Sequence, residues 1–166
     1  MIRLVELPLA DLAVDAVVRA ADERLEAVGD SSSALDECAG ERFLEQRRVQ
    51  APLDIGAAVI TGAGGLAAEF VLHIVVQGED RPVTRDTVRK ALISAWHRAE
   101  GWQLTTVAAP LAGLAGTALS IEEAALALVE TFRDRPSSTG FPAELQVVVR
   151  NDDERSAVTA FLGNHA

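Results

Sequence analysis

Residues 62–67 read G-A-G-G-L-A, the G-x-G-x-x-A spacing with which a chain can wrap its backbone around a pyrophosphate. That chemistry needs a helix to start at the glycines, so that its N-terminus meets the anion. Here an apolar run, F-V-L-H-I-V-V at residues 70–76, follows at once and is strand-like. The context fails, and the glycines read as a hairpin loop. Other reactive side chains are sparse. The single cysteine, Cys38, excludes an internal disulfide, and His73, His97 and His165 lie far apart, with no Cys or His pair at zinc spacing. No metal site and no cofactor is expected. His73, on an apolar strand, reads as a hydrogen-bonded core histidine and not as a catalyst.

The charge narrows the partners. A formal net charge of −10 repels phosphate backbones and argues against nucleic acid. A single anionic ligand stays possible, because backbone N–H groups at helix N-termini can hold it without cationic side chains. At 166 residues and 49% apolar content the chain is long enough for one globular domain spanning 1–166 and short for two. Its first residues lack the basic start and apolar run of a signal peptide, so a cytoplasmic location is expected. Residues 102–121 carry no charge over twenty positions, yet Pro110, Gly113 and Gly116 interrupt them. A buried strand followed by a glycine-containing loop fits better than a membrane span.

The elements that must position any site alternate along the chain. Strands are predicted at residues 2–6, 16–19, 57–61, 70–76, 104–109 and 145–149. Residues 23–32 read as a polar loop, after which Ser33 caps a short helix through Cys38, stopped at Gly40. Further helices are predicted at 41–49, 84–100, 120–132 and 152–162, the third opened by a Ser120–Glu123 capping box and the last capped by Asp152 or its neighbour. This alternation predicts an α/β layered fold with a mixed or largely parallel sheet covered on both faces.

Residues 14–22, V-D-A-V-V-R-A-A-D, read as a buried strand ending in small residues and then a polar one. They resemble V-D-A-I-V-N-A-A-N, the motif that opens the ligand cleft in macro domains, the ADP-ribose-binding family. Three more segments resemble the same family in the same order. Residues 29–40, G-D-S-S-S-A-L-D-E-C-A-G, look like its first phosphate loop and following helix, G-G-V-D-G-A-I-H-x-A-A-G. Residues 56–75 resemble its G-x-A-x-x-T-x-x-x-x-L stretch followed by V-I-H-x-V. Residues 110–123, P-L-A-G-L-A-G-T-A-L-S-I-E-E, resemble its second loop, P-L-L-G-T-G-A-G-G-L-S-P-E-E. The resemblance spans about residues 9–123 and implies the three-layer α/β/α macro-domain fold, with a mixed, mostly parallel sheet.

It also implies a set of ligand contacts. Asp11 and Leu12 stand where the family places the aspartate that accepts a hydrogen bond from the adenine amino group and the isoleucine beside it. Gly29, Ser31, Ser32 and Ser33 stand in the first loop, and Gly113, Leu114, Ala115, Gly116 and Thr117 in the second. Arg19 and Asp22 replace the two asparagines of the strand-end motif, the second of which holds the distal ribose. A guanidinium at the cleft floor must reach solvent or pair with an acid, and Asp22 is a candidate partner. Asp30 and Ser33 take two glycine positions, and Ser32 stands where hydrolytic members often carry an acid, so no catalytic base is evident. The stretch D-S-S-S fits a ligand cradle and a solvated loop alike. Two functions follow. The cleft binds ADP-ribose, a related nucleotide or an ADP-ribosylated protein with altered or weakened affinity, with removal of ADP-ribose as a subsidiary version. Alternatively the cleft is degenerate, and the domain is a protein-interaction or structural module, in an oligomer for instance.

Overall fold

The computed structural model describes residues 1–111 and 118–163. Among these residues six strands form one sheet: β1 (Ile2–Val5), β2 (Ala16–Asp22), β3 (Ala58–Gly62), β4 (Phe70–Gln77), β5 (Thr106–Pro110) and β6 (Glu144–Val148), in the order β1-β6-β5-β2-β4-β3. Every pairing is parallel except β3 with β4, which is antiparallel. The central strands carry side chains buried on both faces, as in β4, where Val71 to Val76 are all buried.

Among the described residues five helices cover the sheet: α1 (Asp30–Ala39), α2 (Glu41–Gln46), α3 (Arg85–Gly101), α4 (Ile121–Arg133) and α5 (Asp152–Gly163). On one face Val88, Leu92 and Trp96 of α3 and Leu128 and Phe132 of α4 pack with Val158 of α5 against the alternate side chains of β2, β4, β5 and β6. On the other face Leu35 and Ala39 of α1 and Phe43 of α2 pack on Val17, Val71 and Ala108. The result is the expected three-layer α/β/α sandwich. Trp96 is buried, its Nε1 donates to Thr131 Oγ1 at 3.0 Å, and its ring meets Phe132 edge-on. Trp102, just past α3, is 53% exposed and edge-on to Phe70.

The local signals hold with shifts of a few residues. The Ser120–Glu123 capping box opens α4, the cap of α5 is Asn151, whose Oδ1 accepts the Glu154 N–H at 2.9 Å, and residues 62–67 form the β3–β4 hairpin loop. Gly64 is required there: its φ is +57°, and a Cβ would stand 2.6 Å from the Ala39 carbonyl oxygen at the end of α1. One boundary moves by a full turn. Helix α1 starts at Asp30, not after Ser33, because Gly29 turns the chain at φ +85° into the helix early. Ser33 caps nothing; its hydroxyl donates back to the Gly29 carbonyl at 3.2 Å. Among the described residues no helix is long and apolar enough to cross a membrane.

Candidate functional site

In an open, mostly parallel sheet the natural place for a ligand is the crevice outside the carboxyl ends of the strands. A cleft of about 440 Å³ lies there. Its floor is made by Pro110 at the end of β5 and Val148 and Val149 at the end of β6. One wall is the segment 6–10 that follows β1 and contains most of a single 3-10 turn, Leu9–Asp11. The other wall is α1, through Ser31, Ala34, Leu35 and Cys38, an i, i+3, i+4, i+7 stripe. Arg150 stands at the rim. The lining is predominantly apolar, and the volume suits a small molecule. A second hollow, beside Trp96, His97 and Phe141 at α3, is only about 100 Å³, well below the size that holds a nucleotide.

The expected contacts divide. Ser31 lines the cleft. Asp11 is exposed at the end of the turn that forms one wall, and Leu12 behind it is buried. Gly29 precedes α1. Ser32 faces the interior, and its hydroxyl is buried without a hydrogen-bond partner among the described residues. Ser33 is exposed. Gly113, Leu114, Ala115, Gly116 and Thr117 lie outside the described residues. The sequence reading missed the cleft residues contributed by segment 6–10, by Ala34, Leu35 and Cys38, by the strand ends Pro110, Val148 and Val149, and by Arg150. The spacing of the α1 residues and the position of Arg150, two residues past a parallel strand's carboxyl end, are the signals that point to them.

The two substituted asparagine positions are used internally, and the pairing differs from the one expected. Arg19 does not reach Asp22. Its Nε and Nη2 donate to Asp36 Oδ1 and Oδ2 at 2.7 and 2.8 Å, a two-pronged ion pair beneath α1. Its Nη1 donates to the Leu25 carbonyl at 2.9 Å and to His73 Nδ1 at 3.1 Å. Asp36 is the residue aligned with the histidine of the resembled loop motif, so both partners of the pair depart from that motif together. Asp22, half-buried, folds back on its own loop instead. Its Oδ1 accepts the N–H groups of Arg24 and Glu26 at 2.8 and 3.0 Å and closes a turn in which Leu25, buried, takes φ +61°. A left-handed leucine is strained, and the Arg19 bond to its carbonyl helps to hold it.

Around this pair the charges balance. Arg47 donates to both Glu26 carboxylate oxygens at 3.2 Å and lies 3.7 Å from Asp36. The Arg47 bonds hold the Glu26 carboxyl below its ordinary range, against the opposing effect of partial burial. Because Arg19 donates to Nδ1, His73 carries its proton on Nε2 and gives it to Thr61 Oγ1 at 2.8 Å, and Thr61 in turn donates to the Gly62 carbonyl. Burial first, then the Arg19 and Arg47 charges, push the His73 pKa well below 6.5. His73 is a neutral core histidine stacked on Phe43, as its apolar strand suggested. Among the described residues no cluster of His, Cys, Asp and Glu could hold a metal ion.

A sequence model of the macro domain family matches residues 18–128, more than half of the chain. The chain belongs to the macro domain family. Among curated relatives, a macro domain-containing protein of Caldanaerobacter subterraneus is 29% identical over 130 residues, covering 75% of this chain and 74% of its own. An O-acetyl-ADP-ribose deacetylase of Escherichia fergusonii is 38% identical over 89 residues, 51% of this chain and 48% of the relative. Among solved structures, the Trypanosoma brucei macrodomain in complex with ADP-ribose superposes with a TM-score of 0.81 at 22% identity, over 98% of this chain and 69% of that one. The macro-domain fold of this chain thus agrees with both kinds of comparison.

Proposed function

We propose that this macro domain binds ADP-ribose, or a nucleotide related to it, in the cleft at the carboxyl ends of β5 and β6, with an affinity lower than an intact cleft would give. The apolar, nucleotide-sized crevice flanked by the start of α1 is the observation that carries this reading. The solved neighbour with ADP-ribose supports it. In this pose the adenine lies between segment 9–10 and the α1 stripe, with Asp11 accepting from its amino group. The diphosphate approaches Gly29 and the first turn of α1, where backbone N–H groups and the helix dipole favour an anion. Asp30, exposed in that same turn, opposes it. Asp22 has its Oδ1 committed to two backbone N–H groups, and the Arg19 guanidinium is committed to Asp36, so both contribute little to the distal ribose.

Calorimetric titration of the chain with ADP-ribose tests this. Saturable binding is expected, and Asp11→Ala should weaken it about tenfold, the effect of losing one charged hydrogen bond. Absence of heat at millimolar ligand would sink the reading. It would leave the second one, a degenerate macro domain that serves as an interaction or structural module. The internal use of Arg19 and Asp22 favours that alternative. Hydrolysis of an ADP-ribosyl bond has weaker support, because Ser32 is buried where a base would be needed.

A further inference from the structure

Helix α1 makes one wall of the cleft, yet little in its own sequence seats it. It has ten residues, its N-cap is Gly29, which has no side chain to offer, and its buried stripe is Ser32, Leu35, Asp36 and Ala39. So short a helix depends on what it packs against. Half of this stripe is polar, and the apolar half, Leu35 and Ala39, meets Val17 and Val71. Contacts of that kind fill space but do not fix a direction. The polar half meets a fixed partner. The Arg19 side chain is fully buried, and that of Asp36 is 12% exposed. The guanidinium is pinned from two other elements, by the Leu25 carbonyl at 2.9 Å in the turn after β2 and by His73 Nδ1 at 3.1 Å on β4. It cannot swivel without breaking both bonds, so the fork that it presents to Asp36 has a set position and plane.

A fork of this kind sets both distance and angle. Asp36 stands one residue past Leu35 and five past Ser31, so the point at which it is held decides where the cleft-facing stripe of α1 and its first turn come to lie. Arg19 and Asp36 also depart together from the resembled motifs, which have asparagine and histidine at these two places. Either charge alone would be buried without its counterpart, so the two residues depend on each other. Neither side chain is part of the cleft lining. Resting on the reading that a nucleotide occupies the cleft, we propose that Arg19 and Asp36 act as one positioning unit. The pair sets α1 over β2, and through it the cleft wall and the helix N-terminus, without touching the ligand.

The test combines titration with ADP-ribose, urea denaturation, and amide hydrogen exchange of α1 measured against α3. Arg19→Asn and Asp36→His alone should each weaken ADP-ribose about tenfold and speed exchange in α1 about tenfold relative to α3. Arg19→Asn/Asp36→His, which puts the motif residues in both places, should return both readings to within about threefold of the native chain. Losses that multiply in this double variant show two independent residues and overturn the proposal. Arg19→Met/Asp36→Leu removes both charges and fills the space, so it keeps the fold even where a single variant does not. It should hold the native denaturation midpoint and still bind ADP-ribose about tenfold more weakly. Native affinity in that variant means that packing alone seats α1, and affinity that merely tracks the midpoint across the variants means a structural role; either overturns the proposal. A native chain that takes up no ADP-ribose overturns the function read for the cleft. The exchange reading needs no ligand and decides the pair separately: unchanged exchange in α1 of the single variants overturns it.

Discussion

Burying an arginine costs several kcal/mol unless its donors are met, and Arg19 meets four acceptors on Asp36, Leu25 and His73. The same network fixes a pH response. His73 is neutral in the fold and titrates near 6.5 in an unfolded chain, so below that value the unfolded state binds a proton that the folded state does not. The stability tied to neutral His73 is complete above about pH 6.5. It is lost as the pH falls from there, at about 1.4 kcal/mol per pH unit until the depressed folded value is reached. Urea denaturation between pH 7.5 and 5.5 checks this, and His73→Gln, which does not titrate, should flatten the profile over that range. A buried role for His73 was legible from its apolar strand. The Arg19 partner was not, because Asp36 meets it only through the placement of α1 over β2, a tertiary relation that no local spacing carries.

Most helices and strands were legible because their signals are local: an apolar run for β4, a capping box for α4, glycines for the β3–β4 loop. The start of α1 was not. Three serines in a row offer three caps, and the left-handed Gly29 that sets the true start looks like any loop glycine in sequence. Glycines also separate at this scale. Gly64 sits at φ +57° against the end of α1, and Gly64→Ala should cost about 2–4 kcal/mol from strain and the clash with Ala39. Gly101, in the last turn of α3, has ordinary φ and open space around it, so Gly101→Ala should be neutral or stabilise by up to about 1 kcal/mol. Chemical denaturation of the pair reads both. Equal effects would show that the hairpin does not press on α1.

At the scale of the molecule, the mixed sheet with helices on both faces follows from alternation of elements, and that alternation was plain in the sequence. The cleft was only half legible. Motif resemblance points to Ser31 and the loops, while the wall from segment 6–10 and the rim at Arg150 come from distant strands that converge only when β6 inserts between β1 and β5. The same architecture distributes the chain's chromophores. There is no tyrosine, and of the two tryptophans one lies within α3, buried against Phe132, and the other just past its end, in solvent beside Phe70. Neither borders the cleft. Intrinsic fluorescence is therefore a reporter of the α3–α4 layer alone. Unfolding should shift the Trp96 emission to the red while Trp102 changes little, and saturating the cleft with ADP-ribose should leave the emission maximum where it was.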